Sequence, residues 1–249
     1  MAGRIVSFIY GIIAYIIFLG SFFYAIGFVG DFGVPKGINS GPEATGLWPA
    51  LLVNTGLLAL FAVQHSVMAR PGFKKWWTRV IPSHVERSTY VLLSSLILIL
   101  LFWQWRPLPE IIWSVEEGIW ELLLNNLFWL GWGIVLLSTF LINHFDLFGL
   151  RQVYLHLKGE EITSIGFKEP WLYKYLRHPL MLGFIIAFWA APNMTLGHLV
   201  FAIATTGYIF IGIWFEERDL IRYHGEKYRE YRQRVRMLIP FPKKRNIKD

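Results

Sequence analysis

The stretch that decides the fold begins with RHPLMLGF (residues 177–184) and ends with FEERDLIRYHGEKYREY (residues 215–231). A hydrophobic run joins the two and is interrupted at Ala191-Pro192-Asn193. If the run folds back there as a helical hairpin, its polar ends return to one membrane face. Arg177, His178, Glu216 and Glu217 are then neighbours. Charges of both signs at a membrane border, with a His and several Tyr, can form a site for a small zwitterion.

Outward from the hairpin, the chain is mostly apolar. Of 249 residues, 55% are hydrophobic and only 16% charged, too few charges for a soluble domain of this length. Lipid offers no partner to an unpaired backbone, so long apolar runs become helices. The expected class is all-α, a polytopic membrane helix bundle of five to six spans with a C-terminal hairpin and a cytoplasmic C-terminal helix. The spans are predicted at Ile5 to Val29, Leu47 to Met68, Ser88 to Trp105, Leu122 to Phe145, Pro179 to Ala191 and Leu196 to Phe215. The first is too long for a signal-peptide core and is read as retained. The fifth is short and starts below the interface or spans incompletely. Pro35, Gly37, Gly41 and Pro42 mark a turn-rich first loop. The tail is expected to be helical to Arg236 and to be ended by Pro240 and Pro242. Residues 1–249 are read as one domain, with 1–145 as scaffold and acceptor-side spans and 146–249 as the cofactor-binding region.

The net charge of +7 raises the question of nucleic acid, and its distribution answers it. With the N-terminus inside, all of the 24 Lys and Arg except Lys36 and Arg106 fall on the inner side. That bias places both termini in the cytoplasm and names anionic lipid headgroups, rather than nucleic acid, as the partner. The absence of cysteine removes disulfides, thiolate metal sites and a cysteine nucleophile. No HxxxH or HExxH spacing supports a metal site, so none is assigned.

At Arg177-His178-Pro179, proline disfavours helix before it and suits a first turn, so a helix is expected to start at Pro179 with His178 beside its N-terminus. Arg177 and that helix start favour a carboxylate or phosphate; the bland alternative is an interfacial Arg reaching for headgroups. Gly183 lets another backbone or a ligand come close. Glu216 and Glu217 point about 100° apart on a helix, so one can face a pocket while the other meets a neighbouring Arg. Tyr228 and Tyr231 share a helix face.

These residues carry a resemblance. RHPxxxG, a hydrophobic hairpin, EE and a GxxYxxY tail resemble the isoprenylcysteine carboxyl methyltransferase superfamily of membrane methyltransferases, with Met181 where a Tyr is common. Gln64-His65-Ser66-Val67-Met68-Ala69-Arg70-Pro71-Gly72, Pro82-Ser83-His84-Val85-Glu86-Arg87 and Asn143-His144-Phe145-Asp146-Leu147-Phe148-Gly149-Leu150-Arg151-Gln152 resemble its nurim and NnrU-like branch, and within it the methanethiol S-methyltransferases. The resemblance implies S-adenosylmethionine as cofactor, a small volatile thiol as acceptor, methanethiol converted to dimethyl sulfide, and a place in the bacterial inner membrane. It implies cofactor contacts from Gln152, Tyr173, Leu176, Arg177, His178, Pro179, Leu182, Gly183, Glu216, Glu217, Tyr228 and Tyr231, with the tyrosines flanking adenine. The thiol must lose a proton, and His65, His144, Asp146 and Tyr154 are the candidates for the group that helps it. His144 and Asp146 lie about 200° apart on a continuous helix, so they pair only if the helix ends there. Two rivals stand beside this reading. One is a methyltransferase acting on a lipid amine or a prenylated carboxylate. The other is a non-enzymatic accessory protein of haem or nitrogen-oxide metabolism with His65 and His144 as haem ligands.

Overall fold

The computed structural model describes residues 1–41, 46–163 and 166–239; Pro42, Pro240 and Pro242 lie outside them. The elements in order are α1 (Ala2–Gly30), α2 (Leu47–Ala69), α3 (Pro71–Trp77), α4 (Ser83–Gln104), β1 (Ile111–Ser114), α5 (Ile119–Ile142), α6 (His144–Leu147), α7 (Leu150–Lys158), a 3₁₀ turn (Trp171–Lys174), α8 (Pro179–Trp189), β2 (Asn193–Thr195), α9 (Leu196–His224) and α10 (Glu226–Arg234). Helices α1, α2, α4, α5 and α9 are long and apolar enough to cross a membrane. The protein is an integral membrane helix bundle.

The short span predicted at Pro179 is resolved in a specific way. Helix α8 has 11 residues, about 16 Å at 1.5 Å per residue, well under a hydrocarbon core of about 30 Å. The chain then turns at once, Ala191 N–H donating to Trp189 O, into a short extended segment. Its end, β2, pairs antiparallel with β1, Ile111 opposite Thr195 and Ser114 opposite Asn193. Non-helical backbone beside lipid needs partners, and here it has them. Val115 N–H donates to Pro192 O, Leu196 N–H to Glu110 O and Gly197 N–H to Leu108 O. The Trp113 indole donates to Ala191 O.

Side-chain contacts sort the bundle into two ends. Ser7 meets His84 and Tyr10 meets Thr89, so α1 and α4 start together. Arg70 pairs with Asp219 at 2.9 Å, so α2 and α9 finish there too. At the opposite end are Lys36, whose ammonium donates to Trp103 O, and the β1–β2 pair. That end is packed by a shared aromatic core of Phe28, Phe102, Trp105, Phe128, Trp132, Phe188 and Phe201. The first end holds the polar residues that matter below.

Helices α5 and α8 cross at glycines. A Cβ on Gly183 would stand 2.7 Å from Gly131 O, and one on Gly131 would stand 2.7 Å from Gly183 O and from Ala187 N. The close approach expected at Gly183 is therefore to a second backbone.

Two boundaries differ from expectation. Helix α9 continues past Phe215 to His224, because residues 216–224 suit a helix and nothing stops it before Gly225. Gly225 takes φ 58°, ψ −129°, a conformation that favours glycine, and turns the chain back into α10. Helix α10 then ends at Arg234 rather than Arg236, since Val235 is extended and Arg236 pairs with Leu176.

Candidate functional site

Helix α8 starts at Pro179 with His178 in the capping position, as the proline predicts. Arg177 and His178 thereby enter the groove between α9 and α10. Glu217 points into the same groove and is buried, as are Arg177 and His178. Glu217 Oε1 accepts from Arg177 Nε at 2.7 Å and lies 3.1 Å from His178 Nε2. Its other oxygen lies 3.1 Å from Arg232 Nε. Glu216, half-exposed, places Oε2 3.5 Å from His178 Nδ1. The question of which Glu faces inward is thus answered: Glu217 anchors the cluster, and Glu216 stands at its lip.

Both nitrogens of His178 face a carboxylate, and both can donate only in the imidazolium form. Burial alone would lower its pKa. The hydrogen bonds and charges of Glu216 and Glu217 outweigh burial and raise it. Arg177, His178 and Arg232 thus gather around the two carboxylates, and a cationic lining of this kind suits a ligand carboxylate.

The C-terminal segment straps this cluster down. Arg177 and His178 donate their backbone N–H groups to Arg236 O and Met237 O. Arg177 also donates to Val235 O at 2.6 Å and to Arg232 O at 3.2 Å. The Tyr231 hydroxyl donates to Tyr173 O at 2.6 Å and also faces the Leu176 carbonyl. Tyr228 and Tyr231, expected to flank a ring, are buried and pack edge-on against Phe167. Tyr173 is only partly buried. Burial, and then the Glu216 charge, raises the pKa of its phenol. Among the described residues, Tyr228 Oη and Gln152 Oε1 are buried with no hydrogen-bond partner. Leu182 lies one turn into α8, before Gly183.

The proton-acceptor candidates are dispersed. Helix α5 ends at Ile142, and Asn143 caps the new turn by accepting from Asp146 N–H. Even so, His144 and Asp146 do not pair. His144 meets Tyr15 and Thr139, whereas Asp146 pairs with Arg151 at 3.0 Å and accepts from Gln152. Tyr154 is exposed on α7, under the Lys158 ammonium. His65 forms its own cluster with Tyr90 at 2.8 Å and Ser94 at 3.4 Å, stacked on Phe61. It lies beside Tyr208 of α9. Tyr208 and Glu217 are nine residues apart, about 180° around the helix, so α9 stands between His65 and the ion cluster.

Sequence reasoning missed Arg232, Thr139 and Tyr15. Arg232 lies in a basic tail where one more cation carries no signal. Tyr15 did carry one, because a phenol inside an apolar span needs a partner.

Residues 53–239 match the family described as NnrU protein. A methanethiol S-methyltransferase of Mycobacterium tuberculosis is 56% identical over 239 residues, 96% of this chain and 98% of the relative. Methanethiol S-methyltransferase 1 of Bradyrhizobium diazoefficiens is 57% identical over 238 residues, 96% of this chain and 83% of the relative. Nurim of Sus scrofa is 29% identical over 206 residues, 76% of this chain and 78% of the relative. No solved structure matches the chain.

Proposed function

The chain belongs to the NnrU family, and from that premise we propose that it methylates methanethiol to dimethyl sulfide with S-adenosylmethionine as methyl donor. The observation that carries the reading is identity at more than half of the aligned positions, over 96% of this chain, with proteins named for that reaction. The charged cluster supports the donor. Its cationic side chains, Arg177 and His178, suit the donor's carboxylate. The outer oxygen of Glu216 suits its amine, and Tyr173 offers a face to adenine. Tyr228 Oη and Gln152 Oε1, buried and unpaired, are polar atoms that such a ligand can satisfy. Pro179, Leu182 and Gly183 shape the wall behind it, and Leu176, Tyr231 and the strap at residues 235–237 hold its floor. Residues 146–249 thus act as the cofactor region and the preceding spans as the acceptor side, within one domain.

The donor supplies an activated methyl group. What the protein adds is alignment for in-line displacement and an acceptor for the thiol proton. The charge bias supports a cytoplasmic side of the inner membrane for this site, both termini and the anionic-headgroup contacts. The haem reading is not favoured. Both ring nitrogens of His65 and of His144 face hydroxyls, which leaves neither free for iron.

Headspace gas chromatography tests the proposal. Purified protein in detergent, given S-adenosylmethionine and methanethiol, is expected to release dimethyl sulfide. If calorimetry shows the donor binding but no sulfide forms, the acceptor is a lipid or prenyl group instead. Absence of both donor binding and product would overturn the methyltransferase reading.

A further inference from the structure

A small alkyl thiol has a pKa on the order of two units above the 8.5 of a free Cys, so only on the order of one molecule in a thousand is thiolate at neutral pH. Its proton needs a destination, and one set of hydrogen bonds at the polar end of the bundle defines one. The Thr139 hydroxyl has a single proton, donated to Leu136 O at 2.7 Å. Thr139 Oγ1 can therefore only accept from His144 Nδ1, 2.8 Å away. The His144 proton is thus on Nδ1, and Nε2 carries the lone pair. That lone pair faces the Tyr15 hydroxyl at 2.7 Å, so the phenol donates to it. His144 is buried, stacked on Phe140 at 4.2 Å with Phe148 edge-on. One ring nitrogen donates and the other accepts in this set of hydrogen bonds, which is the pattern of a neutral ring.

His144 has no nitrogen left for a substrate. Tyr15 is less buried, and its oxygen keeps lone pairs after donating. The pair also lies beside the proposed cofactor site. Gln152, assigned to that site, donates to the Asp146 carbonyl and carboxylate, two residues after His144. The cluster around His65 has the same logic, Tyr90 to His65 to Ser94 to Gln64, but it lies across α9 from the ion cluster.

We propose that Tyr15 is the catalytic residue that takes the thiol proton, with His144 as the positioning residue that receives the phenol's proton in turn. The inference rests on thiol methylation as the reaction. In the step, the S–H bond breaks and its proton passes to Tyr15 Oη. The Tyr15 proton passes to His144 Nε2, giving an imidazolium whose Nδ1–H remains on Thr139. The thiol sulfur's electron pair forms the new bond to methyl, and the methyl–sulfonium bond breaks with its electrons left on the donor's sulfur.

Tyr15→Phe keeps the ring contacts and removes the relay. It is expected to cut methanethiol turnover about 100-fold, the low end for acid–base catalysis. Donor affinity by calorimetry should be unchanged. In the variant, rate should climb with pH as thiolate forms, where the native enzyme levels off. A fluorinated alkyl thiol, already ionised at neutral pH, should be methylated at close to the native rate. A loss equal for both thiols would overturn the relay and make Tyr15 structural; no loss for either would remove it from the proton path. A second measurement needs no turnover. ¹⁵N-histidine NMR of the native protein without donor should show His144 neutral and protonated on Nδ1, and Thr139→Val should change that signature. An Nε2–H form in the native protein would overturn the assignment. Failure of the native protein to methylate any thiol would instead defeat the reaction on which the inference rests.

Discussion

Glu217 is the residue on which the charged cluster turns. One buried carboxylate meets Arg177, His178 and Arg232. Removing one partner from a buried pair leaves the others uncompensated, at a cost on the order of 3 kcal/mol. Glu217→Gln is therefore expected to lower thermal stability and donor affinity together. A variant with native melting in detergent and native calorimetric affinity would refute that role. His178 adds a pH dependence. Its folded pKa is raised, because Glu216 and Glu217 outweigh burial. Stability from the protonated ring is thus fully present below the unfolded value of about 6.5 and is lost as pH rises through the folded value. Melting temperature should fall as pH rises above about 6.5, and His178→Gln should flatten that slope. An unchanged slope in the variant would assign the pH dependence to another group. The sequence disclosed Arg177, His178 and the two glutamates by their adjacency to a membrane border. It could not disclose Arg232, nor the buried state of Tyr228 and Tyr231, because both depend on the tail folding back at Gly225.

Among elements, α8 shows how local sequence and packing divide the work. Pro179 sets where it starts, and its apolar residues set that it is a helix. Its partner is set by Gly183 and Gly131, whose backbones meet with no room for a Cβ. Gly183→Ala would have to push α8 off α5, and overpacking of this kind costs typically about 1–3 kcal/mol. The expected result is a lower melting temperature, with donor affinity weakened because Arg177 and His178 sit one turn away. Gly212→Ala, where a Cβ meets open space, serves as the control; equal melting of the two variants would refute the packing argument. The spans were legible because apolar length is a one-dimensional signal. The β1–β2 pair was not, since Ile111–Ser114 and Asn193–Thr195 are too short to announce themselves and pair across some 80 residues. Helix beyond Phe215 was legible in the tail, whereas its break at Gly225 was not, because a single glycine in a helical stretch need not end the helix.

At the scale of the whole molecule, charge sets orientation. The structure separates the bundle into an end with the ion cluster, α3, α7 and α10, and an end with β1–β2 and the acidic Glu116 and Glu117. Only Lys36 and Arg106 supply cationic side chains near the second end among the described residues, and the Lys36 ammonium is tied to Trp103 O. Lys and Arg near span ends set orientation, whereas Asp and Glu contribute little. The bias therefore comes from the basic end itself, and that end is expected to remain in the cytoplasm, where a soluble methyl donor is available. The chain has no cysteine, so single cysteines report orientation without background. Glu117→Cys and Glu230→Cys are both at exposed positions, one at each end. A membrane-impermeant maleimide should label the first in intact spheroplasts and the second only after permeabilisation. The reverse pattern would turn the bundle over and place the donor site on the side that lacks the donor, which would defeat the orientation and the proposed chemistry at once. Labelling of both without permeabilisation would mean a mixed orientation, which the one-sided charge does not allow.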